Sequence, residues 1–115
     1  LAPFIMKEKV LIGVLLVTLT RWGNMVMCQV ITTATLPLGV HNLGVVFPEG
    51  YRPYAPDKKQ AEVAIALSGW SSNRFNGVAT MKVYSSGVVS YVANSPLNEW
   101  YGTGIWQTGD PFPAA

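Results

Sequence analysis

Apolar residues run in short blocks along the whole chain, and glycine, proline, asparagine and serine separate the blocks. No window repeats at the 3.6-residue spacing of an amphipathic helix, whereas several alternate with the period of two that a half-buried strand requires. Residues 10–19 are a continuous apolar run, rich in β-branched side chains and interrupted by Gly13, which reads as one strand buried on both faces. Trp22-Gly23-Asn24 supplies a tight turn and residues 25–33 a second strand, so that residues 18–30 form one long hairpin unit. Residues 33–42, with Pro37, Gly39 and His41, read as a connecting loop.

Further along, residues 60–68 alternate, with Ala61, Val63, Ile65 and Leu67 on one face. The other face holds Gln60, Glu62, Ala64, Ala66 and Ser68, whose small side chains suggest close packing rather than solvent. Residues 69–77 read as a polar loop, and Ala55-Pro56-Asp57 as the start of a turn. Residues 78–84 and 88–93 form a hairpin across Ser85-Ser86-Gly87, with Ala79, Met81 and Val83 facing one way and Thr80, Lys82 and Tyr84 the other. Residues 94–100, broken by Pro96, make another loop before a final strand over 101–108. The pattern predicts an all-β domain: a small antiparallel Greek-key or jelly-roll-like barrel or sandwich of about seven strands, spanning 1–115 as one unit.

One stretch stands apart. Phe47-Pro48-Glu49-Gly50-Tyr51-Arg52-Pro53 combines two prolines, which fix their own φ and extend the residue before them, with a glycine free to take positive φ between them. It predicts a shaped corner, anchored to the core by Phe47 and Tyr51.

Composition narrows the chemistry. Half the residues are hydrophobic and 12% are charged, too apolar for disorder and poor in charge for a free monomer, which points to apolar surface facing another copy. The eight basic residues are scattered and the net charge is +2, so nucleic acid is a poor partner. The single Cys28 lies in an apolar run as a buried, inert thiol, and with one cysteine and one histidine a structural zinc site is nearly excluded. No phosphate-loop, HExxH or GxSxG pattern occurs, none of the six carboxylates stands out by spacing as a glycosidase pair, and no cofactor is implied. Lys7-Glu8-Lys9 and the apolar run after it have the outline of a secretory signal. The next residues offer no small-x-small cleavage site, Met27 is wrong before a lipoprotein Cys28, and ten apolar residues are too few to cross a bilayer as a helix. An ordered strand is the expectation, with no membrane insertion.

The Phe47–Pro53 stretch resembles the Leu-Pro-x-Gly-Tyr-Arg-Pro corner of the C-terminal head domains of receptor-binding proteins and tail fibres of phages that infect Gram-positive bacteria, with Phe47 in place of Leu. Arg21-Trp22-Gly23-Asn24-Met25 is similar to the Arg-x-Gly-Asn-hydrophobic hairpin that precedes that corner, and Gly104-Ile105-Trp106-Gln107-Thr108 to the closing Gly-x-x-Trp-x-Thr strand. The resemblance covers residues 18–108. It implies a non-enzymatic homotrimeric head, the C-terminal part of a longer chain whose upstream part joins other baseplate or tail proteins. That head sits at the tail tip or baseplate of the virion and binds host cell-wall polysaccharide or a teichoic-acid-like polymer. A virion assembly module without a sugar site, or a wall-polymer depolymerase, are the competing readings.

Within that expectation the candidate saccharide residues are Trp70, Asn73, Arg74, Trp100, Tyr101 and His41. A tryptophan face can stack on a sugar ring while amide, hydroxyl and guanidinium groups bond its hydroxyls, and Trp70-Ser71-Ser72-Asn73-Arg74 supplies that mixture in five residues. Arg74 and Arg52 are further candidates to fork a phosphate or carboxylate. Trp106, inside a strand, is expected in the core or an interface.

Overall fold

The computed structural model describes residues 5–12, 15–32, 35–36, 38–54, 62–71, 73–94, 97 and 99–112. Eight strands form one antiparallel sheet: β1 (Ile5–Ile12), β2 (Leu15–Trp22), β3 (Met25–Thr32), β4 (Gly39–Val45), β5 (Glu62–Ser71), β6 (Arg74–Tyr84), β7 (Val88–Ala93) and β8 (Glu99–Gln107). Their order across the sheet is β1-β2-β3-β8-β5-β6-β7-β4. Strands β5, β6 and β7 run as a meander, and β4 lies beside β7 through the long 46–61 connection, which is a Greek key traversed in reverse. The all-β expectation holds.

The sheet curls into a half-barrel because one face is apolar on nearly every strand. Leu15, Val17 and Leu19 of β2, Val26, Cys28 and Val30 of β3, Ile65 and Leu67 of β5, Met81 and Val83 of β6, and Val89 and Tyr91 of β7 all point inward and are buried. Strand β8 meets β5 only over Ser68–Trp70 and then diverges, so its second half crosses the core in front of β5. Gly102 and Gly104 permit this: a Cβ on either would run into Leu67 or Ile65. The result measures 46 × 30 × 19 Å, flattened as two facing layers of sheet would be.

Four local expectations are corrected. The 10–19 run is not one strand: β1 ends at Ile12 and β2 starts at Leu15, with Val10 opposite Val17, so the run is the meeting of two antiparallel strands. An apolar block cannot by itself reveal a reversal within it. Residues 39–42 belong to β4, because β7 offers them a ladder, so the preceding loop is shorter than expected. Residues 69–77 are not a loop but the end of a hairpin, with Ser71 paired to Arg74 and a bulge that sets Gly69 against Gly77 and Trp70 against Phe75. The outer face of β5 is not packed: Ala64 and Ala66 are exposed. Gln60, Ala61 and the 55–57 turn lie outside the described residues.

Candidate functional site

The strand directions sort the molecule into two ends. At one end lie the β2–β3 and β6–β7 turns, the corner and the tail after β8; Ile5 pairs with Trp22 there, so β1 also begins at this end. At the other lie the β5–β6 turn and the start of β8.

The first end is welded. Arg21 is 3% exposed, and its guanidinium donates from Nε to Gly23 O (2.9 Å), from Nη1 to Gly50 O (2.7 Å) and Pro111 O (3.0 Å), and from Nη2 to Asp110 O (2.9 Å). It also lies 5.0 Å from the centre of the Phe112 ring. The Asp110 carboxylate in turn accepts the Gly50 and Arg52 N–H groups at 2.9 and 3.2 Å. Trp106 Nε1 donates to Tyr51 O (2.8 Å), and Thr108 N–H to Asn24 O (2.8 Å). Gly50 takes φ +104° and Phe47 and Tyr51 are buried, as the sequence predicted. Arg52 Nε closes the corner on Phe47 O (3.0 Å). That bond and the backbone bond to Asp110 hold Arg52 at this end, apart from Arg74. Burial and then the charge of Glu8 raise the Tyr51 phenol above its ordinary value, against the pull of Arg21.

The second end carries exposed chemistry. Trp70 is half-buried on the outer face of β5, its Nε1 donating to Ser68 Oγ (3.0 Å) and its ring 6.0 Å from that of Phe75 at 63°, an edge-to-face pair. Across the β5–β8 ladder Glu99 stands opposite Trp70 and Tyr101 opposite Ser68, so all four share one face. The Tyr101 hydroxyl points to Glu99 Oε2 at 3.5 Å. Tyr101 and Phe75 are both about half exposed, at 48% and 57%. These residues form an open ledge with two ring walls and a carboxylate.

The candidates divide accordingly. Trp70 and Tyr101 come together, and Asn73 (φ 63°) and Arg74 stand at the exposed hairpin tip beside them. Arg74 pairs with Ser71 one step nearer the turn, and strand alternation sets that pair on the opposite face of the ribbon from Trp70 and Phe75. Trp100 is corrected: it is fully buried, with Nε1 donating to Leu97 O (2.9 Å) and its ring against Gly69 and Gly77, so it plugs the core and offers no face to a ligand. His41 is also set apart, on β4 beside Tyr91, stacked on that ring at 4.9 Å with Nε2 2.9 Å from Leu38 O. Phe75 and Glu99 were missed. Plain alternation along β6 would set Asn76, not Phe75, opposite Trp70; the bulge after Gly69 brings Phe75 there, and the apparent loop gave no sign of it.

No protein-family model matches the sequence, and no curated protein matches it. Among solved structures the chain is similar to the distal domain of the mouse adenovirus 2 fibre, solved as a methylmercury chloride derivative, with a TM-score of 0.55 at 10% identity over 94% of this chain and 75% of that one. At that identity the likeness is one of fold.

Proposed function

We propose that this chain is a viral fibre head, of the phage receptor-binding or tail-fibre kind, which attaches to saccharides of the host cell envelope without cleaving them. The observation that carries the reading is the division of labour between the two ends. One end is fastened by Arg21, Asp110 and Trp106 and receives the start of β1; the other presents Trp70, Phe75, Tyr101 and Glu99 to solvent. An upstream stalk joined at the fastened end leaves the ledge pointing away from the virion. The likeness of fold to the distal domain of a fibre supports the same reading.

The head is a homotrimer. Its outer face exposes Ile31, Ile105, Val78, Val92 and Val40, apolar side chains that neighbouring copies would cover. Shallow sites bind weakly one by one, and three per trimer on many trimers per virion turn weak contacts into firm adhesion. The upstream part anchors the head to other tail-tip or baseplate proteins.

The test is binding to host cells and to a glycan array, with sugar release measured alongside. Trp70→Ala should weaken binding by about 1 to 3 kcal/mol, the usual loss for an anchoring ring, with no reducing sugar released by either protein. Unchanged binding by a folded Trp70→Ala head moves the site elsewhere; release of sugar makes the protein a depolymerase.

A further inference from the structure

We infer that the ledge selects saccharides free of anionic groups and turns away phosphate-bearing polymers, with Glu99 as the residue that decides between them. This rests on the reading of the ledge as a saccharide site and narrows its ligand.

Trp70 has no donor to offer, because its indole N–H is taken by Ser68 Oγ at 3.0 Å; what remains is a ring held in one plane. Phe75, inclined at 63° to it, makes the second wall of an angle into which the apolar face of a pyranose fits. The polar part of the ledge is then Glu99, directly across the ladder from Trp70, with the Tyr101 hydroxyl beside it at 3.5 Å. A carboxylate accepts two hydrogen bonds side by side, which suits neighbouring sugar hydroxyls or an amine, and these bonds are strengthened by the charge.

The same carboxylate repels a phosphate held against the rings, and among the described residues no cation of this face stands at the ledge: Lys82, also on the outer face, lies opposite Ala64, six residues along β5 from Trp70. Arg74 pairs with Ser71 on the other face of the ribbon. The two other arginines are at the far end, Arg21 spent on backbone carbonyls and Arg52 donating to Phe47 O. Like charges a few ångströms apart at a surface are enough to reverse a preference between ligands of otherwise similar shape.

Calorimetric titration of the full chain tests this, using neutral oligosaccharides of glucose, galactose and rhamnose and, separately, poly(glycerol phosphate). The expected result is binding of at least one neutral probe, weakened about tenfold or more by Trp70→Ala and about tenfold by Glu99→Gln, and no binding of poly(glycerol phosphate) until Glu99→Gln removes the charge. Thermal midpoints of both variants within a few degrees of the parent establish that folding is intact. If the parent prefers poly(glycerol phosphate), and Arg74→Ala abolishes that binding while Glu99→Gln leaves it unchanged, the selectivity inference is wrong and the adhesion reading stands. If neither class binds and Trp70→Ala attaches to host cells as well as the parent, the ledge is no saccharide site and both fall.

Discussion

Replacing Arg21 by Met tests what holds the welded end together. The substitution keeps most of the side-chain length and its apolar stem, and removes every donor. Four backbone carbonyls then lose a partner: Gly50 O, in a buried bond, and Gly23 O, Asp110 O and Pro111 O, in partly buried ones. A hydrogen bond from a charged donor contributes about 1.5–3 kcal/mol net, and water can replace much of the three partly buried bonds but not the buried one. Relief of the guanidinium's own desolvation offsets part of the loss, which leaves roughly 3–5 kcal/mol, the range for stripping one side from a buried charged network. Against a total stability of about 5–15 kcal/mol that is a large fraction. In a domain of this size it lowers the thermal midpoint by about 10–20 °C. Arg21→Lys keeps the charge but not the planar fork, and should lose about half as much. Urea unfolding followed by tryptophan fluorescence, with thermal circular dichroism beside it, measures both variants. An Arg21→Met protein within about 1 kcal/mol of the parent, the scale of an ordinary surface change, would refute the claim that this guanidinium fastens corner, hairpin and tail.

Gly69→Ala should destabilise by about 1–3 kcal/mol, because its Cβ would sit 2.7 Å from the Trp100 ring; an unchanged unfolding midpoint would mean the plug yields freely. Burial pushes the Cys28 thiol up to about 12 from 9.0, so its stabilising share is complete below about pH 9 and is lost as pH rises towards 12. Urea midpoints should therefore fall between pH 8 and pH 10.5, less steeply in Cys28→Val, and iodoacetamide at pH 8 should label the thiol only after unfolding. Removing residues 1–12 deletes a whole strand from the sheet and exposes the flank of β2, so the truncated chain should lose its cooperative transition; a retained midpoint would make β1 dispensable. Light scattering at micromolar concentration should give three times the chain mass, and a monomer mass would count against the trimer.

The fold class was legible because strand pairing writes itself into alternation: Ala79, Met81 and Val83 are inside and Thr80 and Lys82 outside, as period two requires. Reversals inside apolar blocks were not legible, since the meeting of β1 and β2 leaves no polar interruption and the sheet, not the local sequence, decides where the chain turns. From sequence the three motifs that resemble phage heads are linked only by their order along residues 18–108. The structure gives them one physical cause: Arg21 of the first bonds Gly50 of the second, Trp106 of the third bonds Tyr51 of the second, and Thr108 bonds Asn24. In this chain the three are parts of one joint, and a motif of that kind reports architecture, not ligand.

Site residues follow another logic. Trp70 and Trp100 looked alike in sequence, each a tryptophan beside a polar segment, yet one is half-buried at the surface and the other sealed. What separates them is parity along strands that meet: Gly69 opposes Trp100, and Trp70 opposes Glu99, so the inward ring fills the space that two glycines leave and the outward ring stays with the carboxylate. The pairing can be reached from sequence only if the β5–β8 register is known, and that register joins residues thirty apart across the divergence of the sheet. Glu99 therefore carried no local signal, although the selectivity proposed for the ledge depends on it. Moving that carboxylate provides a further check: in Glu99→Gln with Tyr101→Glu it shifts two residues along the outer face of β8, from opposite Trp70 to opposite Ser68. Neutral-sugar affinity should fall about tenfold, as in Glu99→Gln alone, while phosphate polymers remain excluded, because the net charge of the ledge is kept and only its geometry is lost. Recovery of phosphate binding in that double variant would show that the position of the carboxylate, and not its charge near the rings, sets the exclusion.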